Sequence, residues 1–382
     1  MLESVGRNPI VCRYGDFSAI NSPLIAMKHM QLLAIPCLAI TASLFQIARA
    51  QPPYPPSPVI AGITWAPKQS IVRLALGSDN FPLTWADDDH LYTTWGDGNG
   101  FSKLPRRSMG FARVEGFPPK HRGIDIRSKQ ETHGDGRSGK KGWGILCVEG
   151  VLYLWMGHAD GRGGQAQLAW SSDHARTWEF ADWKFAEFGL VGFINFGRNY
   201  AGARDDYVYA YSHDDPKADT PADRFILMRV PKDEIIKRDA YEFFAGLDAA
   251  GLPRWTREIS VRAAVFEHQD ACLRSAMTWN PGLRRYFWWQ HIPQPTGHKD
   301  RGDTRFEGGF GIYDAPEPWA RGRQRFSRCS GTLDQENTGT CQPSGLAKMA
   351  VQLISSSPVT IASLCAAYNL NFARITTIHR DT

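Results

Sequence analysis

Three things are scarce in this chain: charge of one sign, cysteine, and long apolar runs. Its 44 basic residues exceed its 39 acidic ones only enough for a net charge of +5. A dedicated nucleic-acid binder gathers a basic excess into a patch, so a nucleic-acid partner is not expected. Of seven cysteines, Cys12 and Cys37 precede an expected cleavage point, and Cys329, Cys341 and Cys365 lie in a tail of different character. Cys147 and Cys272 remain, at a spacing that fits no metal-ligand pattern. They are either a disulfide formed in an oxidising compartment or two buried free thiols. No zinc site is visible and the Asp-rich loops lack calcium-loop spacing, so neither a metal nor another cofactor is expected. Apolar runs are too short and interrupted for a stable membrane span.

Aromatic and turn residues are abundant: 13 Trp, 36 Gly and 24 Pro. That balance, with few long periodic apolar stretches, reads as all-β. From Met27 the chain runs through Lys28 and His29 into an apolar stretch. It ends at Ala48-Arg49-Ala50, a small-x-small site before Gln51. This is the pattern of an export signal, 27–50, cleaved near Ala50 to give a periplasmic or extracellular protein. Residues 1–26 resemble neither signal nor fold and are read as a mis-called upstream start. "QPPYPPSP" opens a proline-rich linker, 51–59, expected to be extended and outside the fold.

From residue 60 a weak repeat emerges. "HLYTTWGDG", "VLYLWMGHA", "YVYAYSHDD" and "RYFWWQHIP" each form an aromatic, β-branched strand that ends in a polar cluster. Aligned on Leu91, Leu152, Val208 and Arg285, they are spaced by about 61, 56 and 77 residues. Strands of similar type precede and follow them, which is the unit of a propeller blade. The expected fold is a five-bladed β-propeller over 60–319, truncated here to about four blades. Ser171-Ser172-Asp173-His174-Ala175-Arg176-Thr177-Trp178 fits the Asp-box pattern S-x-D-x-G-x-T-W with Ala175 in place of glycine. Its Asp and Trp are turn and packing residues, so Asp173 is not a catalytic candidate. "PKDEIIKRDAYEFFAGLDAAG", 231–251, is expected to be a helical insertion, with Gly246 and Gly251 as stop signals.

The tail, 320–382, breaks the pattern, since every Trp lies at or before Trp319. Moving the reading frame of Ser357–Asn369 by two bases permits x-Gly-Asp-Asp-Cys-Phe-Ser-Val-Arg-Arg-Val-stop, and Gln342–Gly345 permits Lys-Trp. Residues 320–382 are therefore read as an out-of-frame segment that replaces a final blade.

Acids at strand ends are the first candidates for chemistry. Asp79 precedes the first strand of "DNFPLTWADDDHLYTTWGDGNGF" and Asp97 ends the second, where two carboxylates across a sugar ring serve glycoside hydrolysis. The competing reading makes Asp97 a turn residue of Gly96-Asp97-Gly98. Asp87, Asp88 and Asp89 are assigned to the hairpin turn. Asp206 is a third catalytic candidate, set against an ion-pair turn at Arg204-Asp205-Asp206. Asn195, Arg198 and Asn199 are candidates for hydrogen bonds to sugar hydroxyls or carboxylates. Trp85 and Tyr209 are candidates for stacking on a sugar face, against inter-blade packing, and Arg274 and Glu307 for the same mouth. The loop 133–144, "HGDGRSGKKGWG", lacks phosphate-loop order and is read as a mobile rim loop.

"SDNFPLTWADDDHLYTTWGDGNGF", "LAWSSDHARTW", "NFGRNYAGARDDYVYAYS", "RVPKDEI", "DAYEFFAG" and "FEGGFGIYDAPEPW" together resemble a bacterial exported propeller family. That family is catalogued as a domain of unknown function, and its relatives include endo-D-arabinanases. The resemblance runs in order through 60–319. It implies a sialidase- or arabinanase-like propeller, a polysaccharide or oligosaccharide partner, and glycoside hydrolysis. Asp79 and Asp97 match the family's first-blade acids. The family pattern continues after "PEPW" into Gly-Pro-Trp, then Lys-Trp, and closes on Gly-Asp-Asp-x-Phe-x-Val-Arg-Arg. These are the fragments of the shifted frame, and their acids are absent from the chain as written. The alternatives are a non-catalytic envelope propeller that binds glycan or protein, and an inactive product of a frameshifted gene.

Overall fold

The computed structural model describes residues 53–65, 74–116, 120–134, 138–291, 310–319, 327–328, 352–354 and 372–377. The expected export signal and Glu307 lie outside them. Among the described residues no helix is long and apolar enough to cross a membrane.

The molecule is all-β, with four antiparallel sheets in a propeller arrangement. After β1 (Ile60–Trp65), the first sheet is β2 (Leu83–Trp85), β3 (Leu91–Gly98), β4 (Arg107–Glu115) and β5 (Arg122–Ile126). The second is β6 (Lys141–Val148), β7 (Val151–Gly157), β8 (Gln167–Ser171) and β9 (Glu179–Phe180). The third contains β10 (Val191–Phe193), β11 (Tyr207–His213), β12 (Ala222–Pro231), β13 (Glu242–Leu247), β14 (Pro253–Thr256) and β15 (Ala264–Cys272). β16 (Ser275–Asn280), β17 (Arg285–His291), β18 (Phe310–Ala315) and β19 (Ser327–Arg328) form the fourth. β20 (Gln352–Ile354) and β21 (Phe372–Thr377) join β1 in a three-stranded sheet, β21 antiparallel to β1 and parallel to β20. The four aligned repeats are the second strands β3, β7, β11 and β17.

Each second strand pairs with the first strand of its sheet, across a tight turn in the first two sheets, where Trp85 lies opposite Leu91 and Val148 opposite Val151. The first strands are stapled to one another. Thr84 Oγ1 accepts from the Cys147 amide at 2.8 Å and donates to Asn195 Oδ1 at 3.3 Å. Asn195 also bridges Thr278 in parallel. Gly144 of β6 lies so close to β10 that a Cβ there would stand 2.8 Å from the Val191 carbonyl. Between sheets the filling is aromatic. Trp178 stacks on Phe111 at 5.1 Å, Trp155 meets Phe185, Phe193 and Tyr241, and Trp288 lies parallel to Phe266 at 5.4 Å. Such rings bury large apolar area and interlock by edge and face, which fixes how one blade sits on the next.

Two expectations change and one open alternative is decided. The segment 231–251 is not helical. It holds a turn with a short 3-10 stretch at Arg238–Ala240, then β13, because Tyr241, Phe243 and Phe244 are buried where Phe243 pairs with Met228. The residues preceding 60 are not all outside the fold. Tyr54 is buried, its ring 5.0 Å from Phe266, and its hydroxyl accepts the Glu267 amide at 2.7 Å. Of the two open alternatives for Cys147 and Cys272, both are buried free thiols.

Candidate functional site

The second strands run parallel, so every blade has a hairpin end, where second strands begin, and an opposite mouth, where they finish. At the mouth, Asp79 and Gly96 exchange backbone hydrogen bonds of 2.8 and 2.6 Å, which brings Asp79 beside the end of β3. The fit at Gly96 is tight, since a Cβ would lie 3.0 Å from Asp79 Oδ1, 3.2 Å from the Ser108 carbonyl and 3.3 Å from Asn80 Nδ2. Asp97 follows with a left-handed backbone (φ 45°). Lys141, the first residue of β6, donates its ammonium to Asp97 Oδ1, and Nζ also lies 3.4 Å from the Ser108 carbonyl. The Lys141 side chain is only 3% exposed and that of Asp97 22%, so this is a cross-blade ion pair sheltered from water.

The third and fourth sheets complete the mouth. Arg274, just before β16, donates from Nη1 to Asn80 Oδ1 at 3.5 Å and from Nη2 to Asp219 Oδ1 at 3.4 Å. Its guanidinium lies over the Trp143 ring at 5.2 Å. His158, which follows β7, places Nε2 3.8 Å from Asp219 Oδ2, and its Nδ1 is 3.0 Å from the Gly139 carbonyl. Four sheets thus bring three carboxylates, two cations, an imidazole and an indole to one end of the molecule. The set can hydrogen-bond a polar ring through several hydroxyls, and its acids suit proton transfer.

Of the residues singled out from sequence, Asp79, Asp97 and Arg274 meet at this mouth. The others that are described do not. Asp206 is fully exposed at the beginning of β11, the hairpin end, with Lys232 3.5 Å away. It holds the place that Asp89 holds in the first sheet and is removed from the catalytic candidates. Tyr209 is fully buried, donates to Asp205 Oδ2 at 2.8 Å and packs on Trp255, so it has no face to offer a sugar. Trp85 sits at the hairpin end, half-buried against Leu91 and Val114. Asn195 is consumed by the inter-blade staple. Asn199 Oδ1 accepts the Gly150 amide at 2.8 Å, and Arg198 pairs with Asp89 at 2.8 Å while donating to the Asp87 carbonyl, so both fasten hairpin turns.

At the same end, His174 Nε2 is 3.1 Å from Asp87 Oδ1 and its ring stacks on Tyr92 at 5.4 Å. Burial pushes the Asp87 carboxyl up, but the His174 contact and backbone hydrogen bonds outweigh it and hold it below the usual range. Asp87, Asp88 and His174 place ligand-type atoms within 4.8 Å of one another, though the Asp87–His174 pair already satisfies two of them. In the turn 171–178, Asp173 accepts the Thr177 amide at 2.9 Å and the Thr177 hydroxyl at 2.6 Å, so it works as a turn residue.

Sequence reading missed Asn80, Lys141, Trp143, His158 and Asp219. His158 carried a signal, since Asp97 and His158 each lie six residues beyond their aligned leucines, Leu91 and Leu152. Lys141 and Trp143 lay in the loop assigned to the rim, with nothing to single them out from Lys140.

No family model matches this chain, and no curated protein matches it. Among solved structures it is similar to the GH43_1 enzyme from Xanthomonas citri complexed with xylotriose, at 15% identity over 69% of this chain and 75% of that one, TM-score 0.37. An α-L-arabinofuranosidase from Fusarium graminearum is 9% identical over 70% of each chain, TM-score 0.36. The Bombyx mori GH32 β-fructofuranosidase is 10% identical over 70% of this chain and 50% of its own, TM-score 0.37. Likeness at this level carries no argument about the chemistry of the mouth.

Proposed function

We propose that this protein is an exported, glycan-active propeller and that its mouth hydrolyses glycosidic bonds in an arabinan-type polysaccharide. The observation that carries this reading is the meeting of Asp79 and Asp97 at one mouth with Arg274 and Trp143. Two carboxylates on either side of a glycosidic bond are the usual apparatus of acid and base, and an indole and a guanidinium suit the faces and hydroxyls of a sugar. Asp79 and Asp97 are assigned the paired roles, with Lys141 orienting Asp97. Residues 320–382 are assigned to a shifted frame, so that the last-blade acids of the resembled family are supplied only by a gene repaired after codon 319.

A second reading is favoured by one feature of the same mouth. Asp97 is paired with Lys141 and Asp219 with Arg274, a matched network that suits a site which binds glycan without cleaving it. The test is to incubate the chain as written and its frame-repaired form with arabinan and arabinogalactan and to measure released oligosaccharides. Hydrolysis should appear in the repaired protein and fall by about a hundredfold or more in Asp79→Asn. Binding without release, unaltered in Asp79→Asn, would establish the second reading instead.

A further inference from the structure

His158 is 2% exposed, and both of its ring nitrogens face oxygen. Nδ1 lies 3.0 Å from the Gly139 carbonyl, which can only accept, so Nδ1 carries a proton. A neutral ring would then turn the lone pair of Nε2 toward Asp219 Oδ2, 3.8 Å away, acceptor against acceptor. The doubly protonated ring fits instead, donating to the carbonyl on one side and pairing with the carboxylate on the other. Charged groups around it support that form. Arg274 and Lys141 are each matched by a carboxylate, Asp219 and Asp97, and Lys184 donates to the Ala159 carbonyl at 2.7 Å. Asp160, on the turn after β7, adds a further negative charge that interacts with His158, while amides of Arg162 and Gly164 hold its carboxylate below the usual range against burial. Trp143 covers the ring edge-on at 6.1 Å.

We propose that His158 is a positioning residue of the mouth, an imidazolium that fixes Asp219 so that Arg274 is held on Asn80 beside Asp79. The chain Gly139–His158–Asp219–Arg274–Asn80 crosses from the second sheet through the third and fourth to the first. It rests on the reading of this mouth as the functional site and adds to it a cation on Asp219 Oδ2, leaving Oδ1 to Arg274.

Imidazole nitrogen NMR on the 15N-histidine-labelled full chain tests this without any need for catalysis, with His158→Gln assigning the signal. At pH 7 both His158 nitrogens should show protonated shifts. The Asp219→Asn variant should convert them to a single neutral tautomer, with circular dichroism reporting retention of the fold. A neutral tautomer at pH 7 in the unsubstituted chain overturns the proposal, as does an imidazolium signal indifferent to Asp219→Asn. If Asp219→Asn fails to fold, the nitrogen shifts of the unsubstituted chain at pH 7 decide alone. An imidazolium found when the frame-repaired protein releases no sugar refutes the hydrolase reading and leaves this one standing.

Discussion

Lys141 illustrates how a single side chain sets a constraint at the mouth. A nearly buried ammonium is tolerated because Asp97 meets it, and removing one member of such a pair costs more than replacing both. Asp97→Asn is expected to lower stability by about 3–5 kcal/mol, and Lys141→Met combined with it to recover most of that loss, read by denaturant unfolding. Histidine supplies the pH dependence. His213 is fully buried and its Nε2 lies 2.9 Å from the Lys217 carbonyl. Burial depresses its pKa despite that hydrogen bond, and burial likewise depresses His121 and His268. These rings are neutral in the fold, while the unfolded chain protonates them below about pH 6.5. The unfolded state then binds more protons, so stability is held above that pH and falls as pH drops through it. Thermal melts between pH 7.5 and 5 should show the decline, reduced in His213→Gln. Asp79 and Asp97 were legible because acids at strand ends are few and conspicuous. Asp219 was not, since it is one of several acids in a polar loop and meets Arg274 from 55 residues away.

Strands pack closely where the sequence places glycine. At Gly144 an added Cβ would meet the Val191 carbonyl, the Gly192 Cα at 2.9 Å and the Phe193 amide at 3.1 Å, all backbone that cannot rotate away. Gly144→Ala should therefore force β6 from β10 and destabilise by about 1–3 kcal/mol, seen as a lowered unfolding midpoint. Trp178 acts between blades from the opposite direction, filling space against Phe111. Trp178→Ala is expected to lose about 3–5 kcal/mol by the same measurement. Strand identity was legible from aromatic and β-branched runs, as the four second strands demonstrate. The stretch 231–251 misled because its charged and apolar residues mimic a helical face. Tyr54 was hidden by its prolines, which mark an extended chain but not what that chain packs upon.

For the whole molecule, closure is the governing question. β1 offers a strand edge, which β21 of the tail pairs from Ile60 to Trp65. A repaired frame would replace β21 on that edge with the family's closing strands. If they add about 3 kcal/mol, the repaired protein should melt roughly 6–12 °C higher than the chain as written. An equal or lower melting temperature would count against the out-of-frame assignment of 320–382.

By itself the sequence determined the all-β class, the order and approximate limits of the second strands, and two acids of the mouth. These follow from alternation, turn residues and local spacing, which are written along the chain. Only the tertiary structure decided which strand ends share a mouth, that Asp206 faces the opposite way, that Lys141 meets Asp97, and that Asp219 lies between His158 and Arg274. The reason is that direction within a sheet and distance between sheets are set by strand pairing and aromatic packing across long separations, and no local pattern records either.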